Sequence, residues 1–315
     1  MSSLGSSPEV DLTPWRKLGL RVTAPGTSLM RSHAMLPTPW MCGSEILVLF
    51  SACDAGLRGR IFVAKLRASA PYDLIGVDEK PLLDVGAAGA FDADGVNPSC
   101  LVDRGDELLL YYIGWARGPA ERPYTLIAGI ARSMDGGRSF EKLGQMLPLS
   151  ESESLFRTAP YVFPNAGGWA SLYIGGSRFI EGAGGKRLPI YSLRYVESED
   201  GYSWPSSGRE LLTPDLDRGE LGFGRPVLYG EGASAKLVIS VRTIAGYQLC
   251  AAPWNNGNPR RADLVPLIET GPEAWDCDST SFGAFCQVAE DELLFYNGNE
   301  FGRTGFGLAV RPLRA

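Results

Sequence analysis

A short motif centred on proline recurs five times along the chain, at intervals of about 60 residues. The copies lie near Pro37, Pro98, Pro160 and Pro226, and the fifth has Gly283 in place of proline. Two apolar runs follow each copy, and they alternate with period two, as β-strands do, rather than with the 3.6-residue period of helices. Because such a unit is a short antiparallel sheet, the repeat predicts an all-β, five-bladed β-propeller with four-stranded antiparallel blades.

The five repeats account for nearly the whole chain, and no polar linker separates them, so we predict a single domain spanning residues 1–315. The predicted blades cover residues 30–85, 90–148, 152–212, 220–267 and 274–315. Residues 1–10 read as a flexible tail. The segment from Trp15 to Val22 reads as a strand, and we place it as the outer strand of blade five, since closing a ring leaves only short, protected edges.

Composition excludes several classes of function. The net charge of -6 argues against a nucleic-acid partner, and no apolar run approaches the roughly 18 residues that span a bilayer. The amino terminus has neither the basic start nor the apolar core of a secretory signal, so we expect a cytoplasmic protein. The 6 cysteines are scattered singly, which predicts reduced, mostly buried thiols and no structural zinc. The sequence does not indicate an oligomeric state.

In a propeller, side chains at the start of each innermost strand converge on a central pocket. The residues at these positions are Arg31 and His33 in blade one, Asp92, Asp94 and Asn97 in blade two, Arg157 and Thr158 in blade three, Arg225 in blade four, and Asp276 and Asp278 in blade five. Charged residues beside apolar strands are costly unless they line a wet, functional cavity. We therefore expect a site for a small polar molecule that is rich in hydroxyl groups or anionic.

Two carboxylate pairs carry the clearest chemistry. Asp92 and Asp94 would share one face of a strand, and either could act as a general base; alternatively, Asp92 caps a turn and only Asp94 faces the pocket. The same alternatives apply to Asp276 and Asp278. The neighbouring Trp275 is either a stacking platform for a sugar or a packing residue between blades.

The remaining candidates are basic, or lie at the ends of second strands. His33, the only histidine, could bind substrate, move a proton near neutral pH or help to ligate a metal, or it could be structural. Arg157 and Arg225 occupy matching positions, which indicates recognition of anions or hydroxyl groups, although an ion pair between blades is the alternative. The second strands end near Asp54, Arg60, Trp115, Arg178, Arg242, Asn297, Asn299 and Glu300, of which Trp115 is a candidate for substrate binding and Glu300 a candidate proton donor.

The chain resembles the clan of five-bladed propeller glycosidases that contains arabinofuranosidases, xylosidases and invertases. The resemblance rests on FDADGVNPSC with LLLYYIGW, two S-x-D-G turns, RTAPYV, and WDCDST with FYNGNEFGRTGFGLAV, and it covers residues 30–315. It points to a subgroup associated with glycoconjugate biosynthesis, and it implies a glycosyl substrate. Some members of the clan hold calcium in the central channel, but no local motif here requires it, so we expect no obligatory cofactor.

The catalytic carboxylates of that clan are only partly present. Members place an Asp base in blade one, an orienting Asp in blade two and a Glu acid in blade three. Here blade one has His33 in RSHAMLP and blade three has Arg157 and Thr158 in FRTAP, while blade two keeps Asp94. If the protein is a hydrolase, we expect Asp94 as nucleophile or base and Asp278 as acid, oriented by Asp276. The alternatives are a non-hydrolytic biosynthetic enzyme and a propeller that binds carbohydrate without turnover.

Overall fold

The computed structural model of the chain describes residues 14–313, so the tail predicted over residues 1–10 lies outside the described part. The protein is all-β, as predicted, and its strands form two four-stranded sheets and one twelve-stranded sheet. Within them the strands pair antiparallel in successive groups of four, called units here, and short parallel pairs join the first three units into the twelve-stranded sheet. The strands of the first three units are β2 (Ser32–Cys42), β3 (Glu45–Cys53), β4 (Gly59–Arg67) and β5 (Leu74–Val77); β6 (Gly95–Asp103), β7 (Leu108–Arg117), β8 (Tyr124–Ser133) and β9 (Glu141–Leu147); and β10 (Phe156–Asn165), β11 (Gly168–Glu181), β12 (Arg187–Ser198) and β13 (Arg209–Leu212). Those of the last two are β14 (Glu220–Tyr229), β15 (Lys236–Thr243), β16 (Tyr247–Pro253) and β17 (Val265–Pro266); and β18 (Ser281–Val288), β19 (Asp291–Asn297), β20 (Phe306–Pro312) and β1 (Arg16–Val22).

Each unit is a meander in which consecutive strands are neighbours, except for β1. This first strand of the chain pairs antiparallel with β20, with Arg16 opposite Val310 and Val22 opposite Phe306, so the predicted pairing of the N-terminal strand with the last unit is confirmed. The first strands of successive units lie beside one another, and β18 also contacts β2. The fifth unit is therefore a spatial neighbour of the first.

The core lies between units, where the apolar faces of neighbouring sheets pack together. Each of five buried clusters holds members of two neighbouring units. Leu49 with Leu110 represents the cluster of units one and two, Tyr111 with Tyr173 that of units two and three, and Leu172 with Leu237 that of units three and four. Leu249 with Leu294 represents units four and five, and Phe50 with Phe306 represents units five and one. Successive apolar residues of a strand, such as Leu49 and Phe50, thus pack into clusters on opposite faces of the sheet.

Helical structure in the described residues is confined to short turns. Four 3-10 turns cover Ala183–Gly185, Leu216–Arg218, Gly232–Ser234 and Arg261–Asp263, and the single α-helix, α1, covers Asn299–Gly302. None of these helices could cross a bilayer. All 6 cysteines are free and four of them are buried. In the second S-x-D-G segment, the Asp200 carboxylate accepts hydrogen bonds from the backbone amides of Tyr202 and Ser203, as expected of turn chemistry.

Candidate functional site

A cavity of about 240 Å³ lies where the first strands of all five units meet. Each first strand contributes to its wall: Leu36 from β2, Asn97 from β6, Thr158 and Ala159 from β10, Gly224 and Arg225 from β14, and Phe282 from β18. The other lining residues are Ile113, Trp115, Tyr124, Leu126, Ile174, Tyr191, Phe223, Arg242, Tyr247 and Phe301. This set includes two arginines, three tyrosines and no carboxylate.

The recurring proline has a structural role at this cavity. Leu36, Ala159, Arg225 and Phe282 all line the cavity with positive φ values of 52°, 49°, 38° and 54°. Each lies at a break in strand register, and the next residue is proline in three cases and glycine in the fourth. Bulges of this kind turn a strand and re-aim its side chains, and proline leaves no unpaired amide at the bulge. The repeated motif thus directs one side chain from each of these four strands towards the centre.

Arg225 joins three other units at the centre. Its guanidinium donates hydrogen bonds to the carbonyl oxygens of Pro37 and Phe282, at 2.6 and 3.0 Å, and to Oγ1 of Thr38 at 2.6 Å. A longer bond of 3.3 Å reaches the carbonyl oxygen of Ser99. Burial lowers the pKa of Arg225 to about 9, which still leaves the guanidinium charged at pH 7. Arg225 therefore satisfies backbone acceptors of β2, β6 and β18 while it forms part of the cavity wall.

Arg242, near the end of β15, is the second cationic group of the cavity. Its guanidinium lies 5.8 Å from the centre of the Tyr191 ring and 6.0 Å from that of Tyr247. The hydroxyl groups of Tyr124 and Tyr191 are 3.1 Å apart. Burial is the main reason that the pKa of Tyr247 rises to about 12 and that of Tyr191 rises well above its usual value. These tyrosines therefore stay protonated at neutral pH and can donate hydrogen bonds.

An outer chamber of about 750 Å³ shares Arg242, Tyr247 and Phe301 with the cavity. Asp278 and Glu300 line this chamber, and both are exposed. Asn299 holds Asp278 in place: its Oδ1 accepts the Asp278 amide at 2.9 Å, and its Nδ2 donates to the Asp278 carboxylate at 3.2 Å. The structure thus places two of the predicted candidates, Asp278 and Glu300, in one chamber that borders the cavity.

His33 lies near two charged residues, Glu300 in α1 and Arg303 directly after it. Burial and the positive charge of Arg303 lower the pKa of His33, against the opposing effect of Glu300, so the imidazole is neutral at pH 7. Its Nδ1 is 2.8 Å from Oγ of Ser32. The preceding Arg31 is exposed. Neither Arg31 nor His33 lines the cavity or the outer chamber.

Asp94 lies on the unit-two side of the cavity. Its carboxylate accepts the backbone amide of Arg117 at 2.9 Å, and its own amide donates to the carbonyl oxygen of Trp115 at 3.0 Å. Trp115 lines the cavity, with the Arg117 guanidinium 5.4 Å from the centre of its ring. Asp94 itself does not line the cavity or the chamber.

Asp92 and Asp276 have a structural role instead of the predicted place in the pocket. Asp92 accepts a hydrogen bond from the Tyr112 hydroxyl at 3.1 Å and pairs with Lys142 at 2.6 Å. Asp276 does the same with Tyr296 at 2.9 Å and Lys17 at 2.6 Å. Both aspartates are almost fully buried. The turn interpretation of Asp92, with only Asp94 left accessible, describes this geometry better than a shared face, and the same holds for Asp276 and Asp278.

Unit three contains a related network that corrects the expectation for Arg157. The Arg157 side chain is fully buried, lies 3.1 Å from the Glu153 carboxylate and donates to the carbonyl oxygens of Pro148 and Pro205. Glu153 also accepts the Tyr173 hydroxyl at 3.0 Å. Arg157 is thus the partner of Glu153 in a structural ion pair. Of the two residues predicted for the pocket in unit three, only Thr158 lines the cavity. Trp275 is 6% exposed and packs against Tyr296, so it is a packing residue.

The cavity does not fit a calcium ion, because that ion takes oxygen ligands, usually with carboxylates, and two guanidinium groups line this wall. Within residues 14–313 no group of three or more His, Cys, Asp or Glu side chains is placed to hold a metal.

Comparison with solved structures identifies the fold as that of glycoside hydrolases. A protein described as a glycoside hydrolase superposes with a TM-score of 0.69 at 15% identity, covering 94% of this chain and 92% of that one. A glycosyl hydrolase from Bacteroides ovatus gives 0.64 at 14% identity, with 98% and 94% covered. A thermostable family-43 glycoside hydrolase gives 0.65 at 12% identity, with 93% of each chain covered. At these identities the likeness concerns the fold alone.

The chain belongs to a family represented in Mycobacterium tuberculosis. Uncharacterized protein MT1551 of strain CDC 1551 and Uncharacterized protein Rv1502 of strain H37Rv are each 30% identical to it over 302 residues, which is 94% of this chain and 98% of each relative. No protein-family model matches the chain.

Proposed function

We propose that the protein is a glycosidase-like enzyme, built as a single five-bladed propeller domain, which acts on a small glycosyl substrate in the central cavity. The observation that carries the proposal is that the cavity borders a chamber with two exposed carboxylates, since Arg242, Tyr247 and Phe301 line both. The five units correspond to the blades, since each gives its first strand to the wall of one cavity and the fifth unit packs on the first.

Hydrolysis of a glycosidic bond normally requires two carboxyl groups that flank it. We assign these roles to Asp278 and Glu300. Asn299 orients Asp278, and Glu300 forms a salt bridge of 3.1 Å with Arg303, three residues later in the chain. A sugar ring in the cavity would then present its scissile bond at the chamber, while Trp115 and Tyr247 offer aromatic surface for the ring.

Asp94 and His33 have positioning roles in this proposal. Asp94 fixes the backbone beside Trp115, and His33 lies close enough to Glu300 for the charge of that carboxylate to act on the imidazole. Neither is assigned a proton-transfer step.

The test measures release of sugar from a panel of aryl glycosides and oligosaccharides by the wild type, Asp278→Asn and Glu300→Gln. Removal of a general acid or base costs about 100-fold or more in rate, so we expect each variant to lose at least that factor in kcat while its thermal unfolding is unchanged. Glu141→Gln is the matched control, because Glu141 is an exposed carboxylate on the outer strand of unit two. Its activity should equal that of the wild type.

Running the reaction in ¹⁸O-labelled water distinguishes hydrolysis from other chemistry. We expect one labelled oxygen in the released sugar. A product without the label would identify a transfer, elimination or cyclisation, and binding of an intact glycan without turnover would identify a carbohydrate-binding protein; either result would overturn the hydrolytic proposal.

A further inference from the structure

The two cavity arginines, of which Arg225 is buried and Arg242 half-buried, differ from the other buried arginines of the protein. Arg60, Arg157 and Arg311 each pair with a carboxylate, at 2.9, 3.1 and 2.6 Å. Among the described residues, no carboxylate lies within salt-bridge distance of Arg225 or Arg242, and none lines the cavity that they share. A cation that is removed from water without a counterion is costly. The cavity wall therefore carries two positive charges that no carboxylate of the described residues balances.

Other polar groups in the same wall also lack protein partners. Oγ1 of Thr158, which is 2% exposed, Nε of Arg225, which is 3% exposed, and Oδ1 of Asn97 have no hydrogen-bond partner. Buried polar groups are nearly always hydrogen-bonded in folded proteins. Three groups without a protein partner thus belong to residues that line the cavity in which a ligand would bind.

The size of the cavity limits that ligand to about one ring. An engineered cavity of about 150 Å³ holds a benzene molecule, so about 240 Å³ accommodates a single six-membered ring with its substituents. Arg242, with the hydroxyl groups of Tyr124 and Tyr191 nearby, is where an oxyanion on that ring would be held. Arg225 is less available, since its terminal nitrogens already donate to backbone acceptors.

We propose that the cavity selects a glycosyl unit bearing one oxyanion group, a carboxylate or a phosphate, which binds Arg242. This inference rests on the proposed function and names the substrate class of that site. Arginine suits the role because its planar fork of donors matches carboxylate and phosphate oxygens.

The test is titration calorimetry at fixed ionic strength with monosaccharides. The uronates and the 6-phosphates of glucose, galactose and mannose are each compared with the neutral parent sugar. A hydrogen bond to a charged group corresponds to roughly 10- to 100-fold in affinity, so we expect at least one anionic sugar to bind the wild type more tightly than its parent by that factor. The uronate and phosphate arms distinguish the two sources of the anion.

Arg242→Gln should abolish the preference, whereas Arg138→Gln, which removes the same charge from an exposed turn, should retain it. Equal binding of anionic and neutral sugars by the wild type would overturn the inference, and this comparison holds even if Arg242→Gln does not fold. Turnover of neutral glycosides without a preference for anionic sugars would contradict this inference and leave the proposed function standing. Tighter binding of anionic sugars without any turnover would contradict only the proposed function.

Discussion

Arg225→Met is expected to destabilise the protein by about 3–5 kcal/mol, because it leaves acceptors of three other units without a donor and each unsatisfied buried group costs roughly 1–3 kcal/mol. The orphaned groups are the carbonyl oxygens of Pro37, Ser99 and Phe282, whereas the Thr38 hydroxyl keeps its own bond to the carbonyl oxygen of Leu36. Removal of a desolvated charge offsets part of this loss. The orphaned acceptors dominate, since methionine offers them no donor. Urea denaturation followed by circular dichroism measures the change in unfolding free energy.

The matched control for this variant is Arg242→Met, which makes the same change in the same cavity. Arg242 has cation–π contacts with two tyrosines and no salt bridge within the described residues, so we expect it to lose about 1 kcal/mol or less. If Arg225→Met lost no more free energy of unfolding than Arg242→Met, the structural role assigned to Arg225 would be wrong.

Asp276→Asn is expected to cost about 2–4 kcal/mol, somewhat below the usual cost of breaking a buried ion pair because one partner can reach water. Asp276 is 1% exposed, and Lys17 connects it to the first strand of the chain. Loss of that charge should loosen β1 from β20, so amide exchange should accelerate in residues 16–22 beyond the rest of the unit. Chemical denaturation and hydrogen exchange measure the two effects.

Asp278→Asn, two residues away, provides the comparison. Its carboxylate is exposed and we expect a stability change within about 0.5 kcal/mol. The opposite pattern, with Asp276→Asn as stable as the wild type but inactive, would return Asp276 to the catalytic site and contradict the structural assignment.

The repeat in the sequence predicted the β class, the positions of the strands and the pairing of the first strand with the last unit, because each depends on local periodicity. The spacing of Pro37, Pro98, Pro160 and Pro226 was also informative, since these residues mark bulges next to the cavity. What the spacing could not show is which side chains at those bulges face the cavity, because strand register decides that.

Contacts between strands, which the sequence does not show, decide which acidic residues are structural and which are accessible. In three units an acid accepts a hydrogen bond from the tyrosine 20 residues later: Asp92 from Tyr112, Glu153 from Tyr173 and Asp276 from Tyr296. That regular spacing is a signal of a structural role, whereas strand position alone favours Asp92 and Asp276 as pocket residues and does not single out Glu153. Tyr191 and Tyr247 lie on third strands, whereas the sequence pattern predicts pocket residues only at the starts of first strands and the ends of second strands.

The most direct test of the account is a crystal structure of Glu300→Gln with its tightest-binding glycosyl ligand. We predict that the sugar ring occupies the cavity between β2, β6, β10, β14 and β18, with a ligand oxygen within hydrogen-bond distance of Arg242 and the scissile bond facing Asp278. A ligand bound on the outer surface of the units, with only water in the cavity, would contradict it.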